Sequence, residues 1–282
     1  MVIGGISVVT LILIFAAGVG AGFVGYAVGV SSLVSYPALL AIGIPPVIAN
    51  ASNTLGVIGT GIGGCLGARK ELAKQKRRAL THFIIGAIGG VAGAFLLLEL
   101  PAKAFEYVVP PLILFSAAMI AFNPGKRTAA KTAAVQVETQ LEKREKAEGI
   151  DATLPVPASY STKDPLWLRI GIWFVAIYSG YFGAGAGTCA MAMLDAAKIG
   201  PFHEINALKT VIGTGANITA SLVFVFNGAI DWPAAIMLCI GCFIGGFIAP
   251  PITRHIPARL MRYATVFAGV ILAVDLGIKT YI

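Results

Sequence analysis

Apolar runs of bilayer-crossing length recur from one end of this chain to the other, and they leave few folds open. A hydrocarbon core of about 30 Å takes roughly 20 helical residues at about 1.5 Å each. Ten apolar segments can be drawn, at about 5–27, 31–43, 46–66, 80–99, 105–122, 167–182, 186–198, 204–227, 231–249 and 259–280. Hydrophobic residues fill 57% of the 282 positions and charged ones 12%, too apolar a balance for a soluble domain of this length. The runs are continuous rather than alternating, which excludes a β-barrel. The fold class is therefore all-α, a polytopic transmembrane helical bundle. The opening run MVIGGISVVTLILIF has no basic stretch before it and is read as a retained first helix.

Two of the segments, the second and the seventh, are too short to cross a membrane as straight helices. Each follows a glycine-rich break, at Gly25 to Ser32 and at Gly180 to Thr188. Segments one-two and six-seven are accordingly expected to be broken or re-entrant hairpins. Non-helical backbone at membrane depth is tolerated only inside protein or beside a water-filled cavity. A half-helix that starts at such a break offers unpaired N–H groups and a positive dipole end. The breaks are thus either two halves of an anion cradle or plain helix kinks.

The net charge of +8 invites a nucleic-acid reading, but the distribution of Lys and Arg points elsewhere. If the ten segments alternate, every basic residue except Lys103, Lys209 and Lys279 falls on one side of the membrane. That asymmetry marks the cytoplasmic face, with both termini outside, in a cell inner or plasma membrane. The chain divides into a first transmembrane repeat (1–122), a charged cytoplasmic linker (123–166) and a second repeat (167–282). Five segments per half is an odd number, so the second repeat enters the membrane upside down, the inverted-repeat plan of many secondary transporters. Counting each hairpin as one broken element gives 4+4 segments and parallel halves instead.

The most polar stretches lie where lipid-facing helices have only hydrocarbon. They are IPPVIANASNTLGVIGTG, from Ile44 to Gly61, and GPFHEINALKTVIGTGAN, from Gly200 to Asn217. A shift of 156 positions sets Pro45 on Pro201, Asn50 on Asn206 and Thr54 on Thr210, with Lys209 opposite Asn53. The same shift pairs Gly29 with Gly185 and Ser32 with Thr188. A buried ammonium costs at least a few kcal/mol, so Lys209 needs a partner, a cavity or a guest. It either pairs with Asp195 across the turn near Gly200 or binds an anion while Asp195 serves as the coupling group. The substrate-binding candidates are Ser31, Ser32, Asn50, Asn53, Thr54, Gly185, Gly187, Thr188, Asn206, Lys209, Thr210 and Asn217. Any of the polar ones can equally serve as an interhelical hydrogen-bonding residue.

Other motifs carry less. Gly20-x-Gly22-x-x-Gly25 has no preceding strand and so is no dinucleotide fingerprint. Its glycines belong with Gly18/Gly22, Gly59/Gly63, Gly86/Gly90 and Gly241/Gly245, whose spacing of four lets helix backbones approach closely. Cys239-x-x-Cys242 lacks a neighbouring His or acid, so no metal site is expected. His82, His203 and His255 are read as interfacial.

The order of these features resembles the TauE/SafE sulfite-exporter family, also called the toluene sulfonate uptake permease family. Pro45-Pro46 through Ala49-Asn50-Ala51-Ser52-Asn53-Thr54 resembles its first half. Gly180 to Gly185, Asn206-Ala207-Leu208-Lys209, Asn217, Asp231-Trp232 and Gly245-Gly246 resemble its second. The resemblance implies a secondary transporter of small sulfur-containing anions, sulfite or an organosulfonate, coupled to a proton or ion. It implies no cofactor. Its partners are the anionic substrate, the bilayer, the coupling proton or ion and, as a homo-oligomer, further copies of the chain. Asp195 and the long linker depart from the family pattern. The rival classes are an intramembrane enzyme and a membrane subunit that acts through the 123–166 loop.

Overall fold

The computed structural model describes residues 2–3, 6–122, 161, 163–253 and 258–281. Linker residues 123–160 and 162 lie outside them, including 128–148, whose Ala-, Lys-, Glu- and Gln-rich composition is enough for an exposed helix. After a short hairpin of β1 (Val2–Ile3) and β2 (Ile6–Ser7), the described residues are helical. The first half contains α1 (Val8–Val28), α2 (Ser32–Ala41), α3 (Pro46–Gly67), a short α4 (Arg69–Ala73), α5 (Lys76–Glu99) and α6 (Ala102–Phe122). The second contains α7 (Leu166–Tyr181), α8 (Ala186–Ala196), α9 (Phe202–Phe226), α10 (Trp232–Thr253) and α11 (Ala258–Tyr281). By length and composition α1, α5, α9 and α10 can each cross a membrane, so the chain is an integral membrane protein. α9 is the most deeply buried of these four.

Local chemistry places the breaks. α1 stops at Gly29, whose φ of 91° only glycine adopts without strain, and Gly29 N–H closes the last turn on Gly25 O at 2.9 Å. α7 stops before Gly183 and Gly185, both at φ 77°. The two short helices then end in the same turn. Gly43 N–H reaches Leu40 O and Ile44 N–H reaches Leu39 O; Lys198 and Ile199 repeat this on Asp195 O and Leu194 O. These are the two bonds of a Schellman motif, and Lys198 takes the left-handed position (φ 52°) that Gly43 fills in the first half. Prolines then restart the chain. Pro45 and Pro201 hold extended ψ values of 146° and 160° ahead of α3 and α9.

Glycine seams bind the long helices side by side. Gly18 and Gly22 of α1 meet Gly241 and Cys242 of α10, while Gly56, Gly59 and Gly63 of α3 meet Leu238, Cys239 and Phe243 of that same helix. Gly89 and Gly93 of α5 meet Ala176 and Gly180 of α7, and Gly86 and Gly90 meet Ile212 and Ala216 of α9. Residue numbers rise together in each pair, so α1 and α3 run parallel to α10, and α7 and α9 run parallel to α5. α3 crosses α9 the other way, with Gly61 beside Thr214 and Gly64 beside Thr210. Exchanging the halves (α1 for α7, α3 for α9, α5 for α10) reproduces this pattern. The first helices of the two halves therefore point in opposite directions.

Candidate functional site

The two breaks touch backbone to backbone. A Cβ on Gly29 would lie 2.7 Å from Gly187 C and Thr188 N, and one on Gly187 would lie 2.8 Å from Gly29 Cα. Beside this contact a cavity of about 70 Å³ opens between the hairpins and the middles of α3 and α9. A water needs about 10–15 Å³ on such a measure, so the space holds a few waters or one small ion. The first turns of α2 and α8 supply Ser31, Ser32, Ala186 and Gly187 to its wall, with their positive dipole ends towards it. Phe182, on the end of α7, closes another side and stacks edge-on against Tyr36, ring centroids 5.4 Å apart.

Lys209 is buried and lines this cavity. Among the described lining residues it is the one charged side chain; the rest are glycines, hydroxyls, an amide and hydrocarbon. Its Nζ donates to Tyr26 O, a carbonyl left open at the C-terminus of α1, at 2.7 Å and lies 3.5 Å from Gly25 O, which already accepts from Gly29 N–H. The ammonium also sits 5.8 Å from the centroid of the Tyr26 ring. The second half is served in the same manner, because Asn50 Nδ2 donates to Tyr181 O at the end of α7 at 2.8 Å. Each polar long helix thus holds the open end of the other half's broken helix.

Of the twelve substrate candidates, Ser31, Ser32, Thr54, Gly187, Lys209, Thr210 and Asn217 line the cavity. The others stand behind it. Gly185 turns the chain into α8 and packs on Ser116. Thr188 Oγ1 donates to Val28 O at 2.9 Å, a further open carbonyl of α1. Asn50 and Asn206 are buried away from the wall. Asn53 accepts from Ser35 Oγ at 2.5 Å and donates through Nδ2 to Ser32 Oγ at 3.0 Å. The ion pair between Lys209 and Asp195 is not made: the ammonium turns to α1, and the half-buried Asp195 carboxylate is not part of the wall. Thr60, Thr214 and Ser179 line the cavity without having been singled out. The stripe Asn206, Thr210, Thr214, Asn217, at steps of four and three, held the clue to Thr214.

Hydroxyl bookkeeping tells which groups are ready to donate. Thr54, Thr210 and Thr214 give their protons to carbonyls four residues back, of Asn50, Asn206 and Thr210, at 2.9, 3.0 and 2.7 Å. Ser32 is different: Asn53 fills its acceptor side and leaves its own proton available to the cavity. Asn53→Ala is expected to lower thermal stability by about 1 kcal/mol, the net value of one hydrogen bond. Ser35 keeps Ser31 O as acceptor at 3.0 Å, which limits that loss. Anion titration of the variant should show several-fold weaker binding, and unaltered binding would mean that Ser32 is not a contact.

The α-helical membrane bundle thus encloses a polar cavity with one buried ammonium and two broken helices at its wall. Residues 14–276 match the family of sulfite exporters TauE/SafE, and the chain belongs to that family. It is similar to the probable membrane transporter protein ORF9 of Sinorhizobium sp, at 24% identity over 94% of this chain and 92% of the relative. A probable membrane transporter protein of Haemophilus influenzae is 22% identical over 83% and 82% of the two chains. The probable membrane transporter protein YfcA of Escherichia coli K12 is 22% identical over 96% and 91%. No solved structure matches the chain.

Proposed function

We propose that this membrane transporter carries small sulfur-containing oxyanions, sulfite or a short organosulfonate, one at a time through the cavity beside Gly29 and Gly187. The observation that carries the reading is the cavity's charge: one ammonium, Lys209, and no carboxylate among the described residues of its wall. A desolvated cation without a counter-charge is costly, and an anionic guest offsets that cost. Lys209 shares its protons between Tyr26 O and the anion, and Ser32 and the Asn217 amide add donors. The hydroxyls of Thr54, Thr210 and Thr214 rotate from their own helices to the guest. The volume of about 70 Å³ favours a guest with a small headgroup.

In this reading residues 1–122 and 167–282 are inverted repeats joined by the 123–166 linker. They rock about the Gly29–Gly187 contact, driven by a coupled proton or ion. The opposed directions of α1 and α7 support the inversion, and the basic loops support a cytoplasmic linker with both termini outside. The test is flux in proteoliposomes that contain the purified protein. Sulfite or a short sulfonate should cross faster than in protein-free vesicles and should compete with other sulfur oxyanions. Competition by neutral analogues alone, with no flux of any sulfur anion, would overturn the assignment.

A further inference from the structure

A second cavity, of about 420 Å³, lies where the first turns of α5 and α7 come together. Arg77, Arg78, Lys163 and Arg169 line it, with Thr81, Leu166 and a single carboxylate, Asp164. That carboxylate is already engaged. Arg78 Nε donates to its Oδ1 at 2.8 Å, and buried His82 approaches its Oδ2 at 3.2 Å. Arg78 also donates to Ser161 O at 2.8 Å, so the end of the linker is fastened to α5 and the floor of the cavity is held in place. Arg77, Lys163 and Arg169 are exposed and have no acidic partner among the described residues. The two helices start here in parallel, and neither has a side-chain N-cap, so two positive dipole ends face the same space.

The surroundings show what kind of anion this space fits. Below Arg77 on α5, Leu80, Ile84 and Ile88 are exposed; below Arg169 on α7, Ile170 and Trp173 are exposed, and Leu166 stands at the mouth. An apolar, exposed track on α5 and α7 thus continues from a cluster of three cations that have no acidic partner among the described residues. We propose that this cavity binds the phosphate headgroup of an anionic glycerophospholipid, with an acyl chain laid along the α5–α7 track. A soluble anion uses the cations but not the track, whereas a lipid uses both. Basic pockets at the membrane face are suited to such headgroups, each cation contributing about fivefold in affinity.

The experiment uses the full chain in detergent. Lipid binding is followed by native mass spectrometry and by thermal unfolding, with phosphatidylglycerol against phosphatidylcholine and with inorganic phosphate as a separate arm. The wild type should bind phosphatidylglycerol about tenfold more tightly or better. The triple variant R77Q/K163Q/R169Q should lose that preference while it still binds phosphatidylcholine. Arg78 is left intact because Asp164 and His82 depend on it, and single R169Q, at an exposed site, provides a folded variant with a partial loss. Equal binding of the two lipids, or a preference that survives the triple variant, would overturn the proposal. Stabilisation by inorganic phosphate alone would make the site one for a soluble anion. A preference that appears only after deletion of residues 128–148 would make that glutamate-bearing segment the native occupant, and would also overturn it. None of these outcomes depends on Lys209, so the transport reading stands or falls separately.

Discussion

Lys209→Met is expected to weaken anion-induced stabilisation and transport sharply while leaving the unliganded protein as stable as before, or more so. Two opposing contributions set the unliganded result. The variant loses one charge-assisted hydrogen bond, to Tyr26 O at 2.7 Å, worth about 1.5–3 kcal/mol. It also removes a buried ammonium that has no carboxylate beside it, and burial of such a charge costs several kcal/mol. Methionine fills a similar volume with hydrocarbon, so the fold loses little packing. The guest has no compensation: its only formal counter-charge among the described residues of the wall is gone. Binding should weaken by about 10–100-fold, the equivalent of one hydrogen bond to a charged group. Thermal unfolding with and without sulfite separates the roles. A lowered unliganded melting temperature with an intact sulfite response would make Lys209 a cap for α1 and nothing more.

Gly90→Val is expected to prevent the bundle from assembling. A Cβ on Gly90 would stand 2.2 Å from Ala216 O and 2.6 Å from Ala216 Cα, both main-chain atoms of α9. Side chains can rotate away from an intruding methyl; a helix backbone cannot, so α5 and α9 must separate along their shared seam. Ordinary overpacking costs about 1–3 kcal/mol, and an obstacle made of backbone puts the cost at the top of that range or beyond. Small residues replace the missing hydrophobic drive between helices inside a bilayer, so their loss is not offset elsewhere. Gly22→Val tests the α1–α10 seam, where the added Cβ would lie 2.3 Å from Cys242 O. Both variants should yield aggregated or degraded protein on size-exclusion chromatography in mild detergent. Gly213→Val, with open space where its Cβ would go, should remain monodisperse. Normal assembly of both seam variants would mean that the helices do not pack this closely in the membrane.

The helical architecture was legible in the residues because its causes are local. Apolar length, a glycine at positive φ and a proline ahead of α3 or α9 act within one element. The ten segments and the breaks near Gly29 and Gly183–Gly185 therefore stand where the sequence put them. The cavity was half legible for the same reason. Asn50 to Thr54 and Asn206 to Thr210 had to be buried, and they are, because bare polar groups cannot face lipid.

Local signals could not assign partners. Lys209 reaches Tyr26 rather than Asp195, Asn53 serves Ser32 rather than a guest, and Thr188 closes the end of α1. Each outcome turns on which face of one helix meets another, and successive residues differ by about 100° around a helix. From the sequence alone come the membrane helices, their interruptions and the polar residues that must be hidden. Only the tertiary structure decided which of those residues face the cavity and which hold it open, because packing between distant segments sets rotation about each helix axis and no short-range preference does.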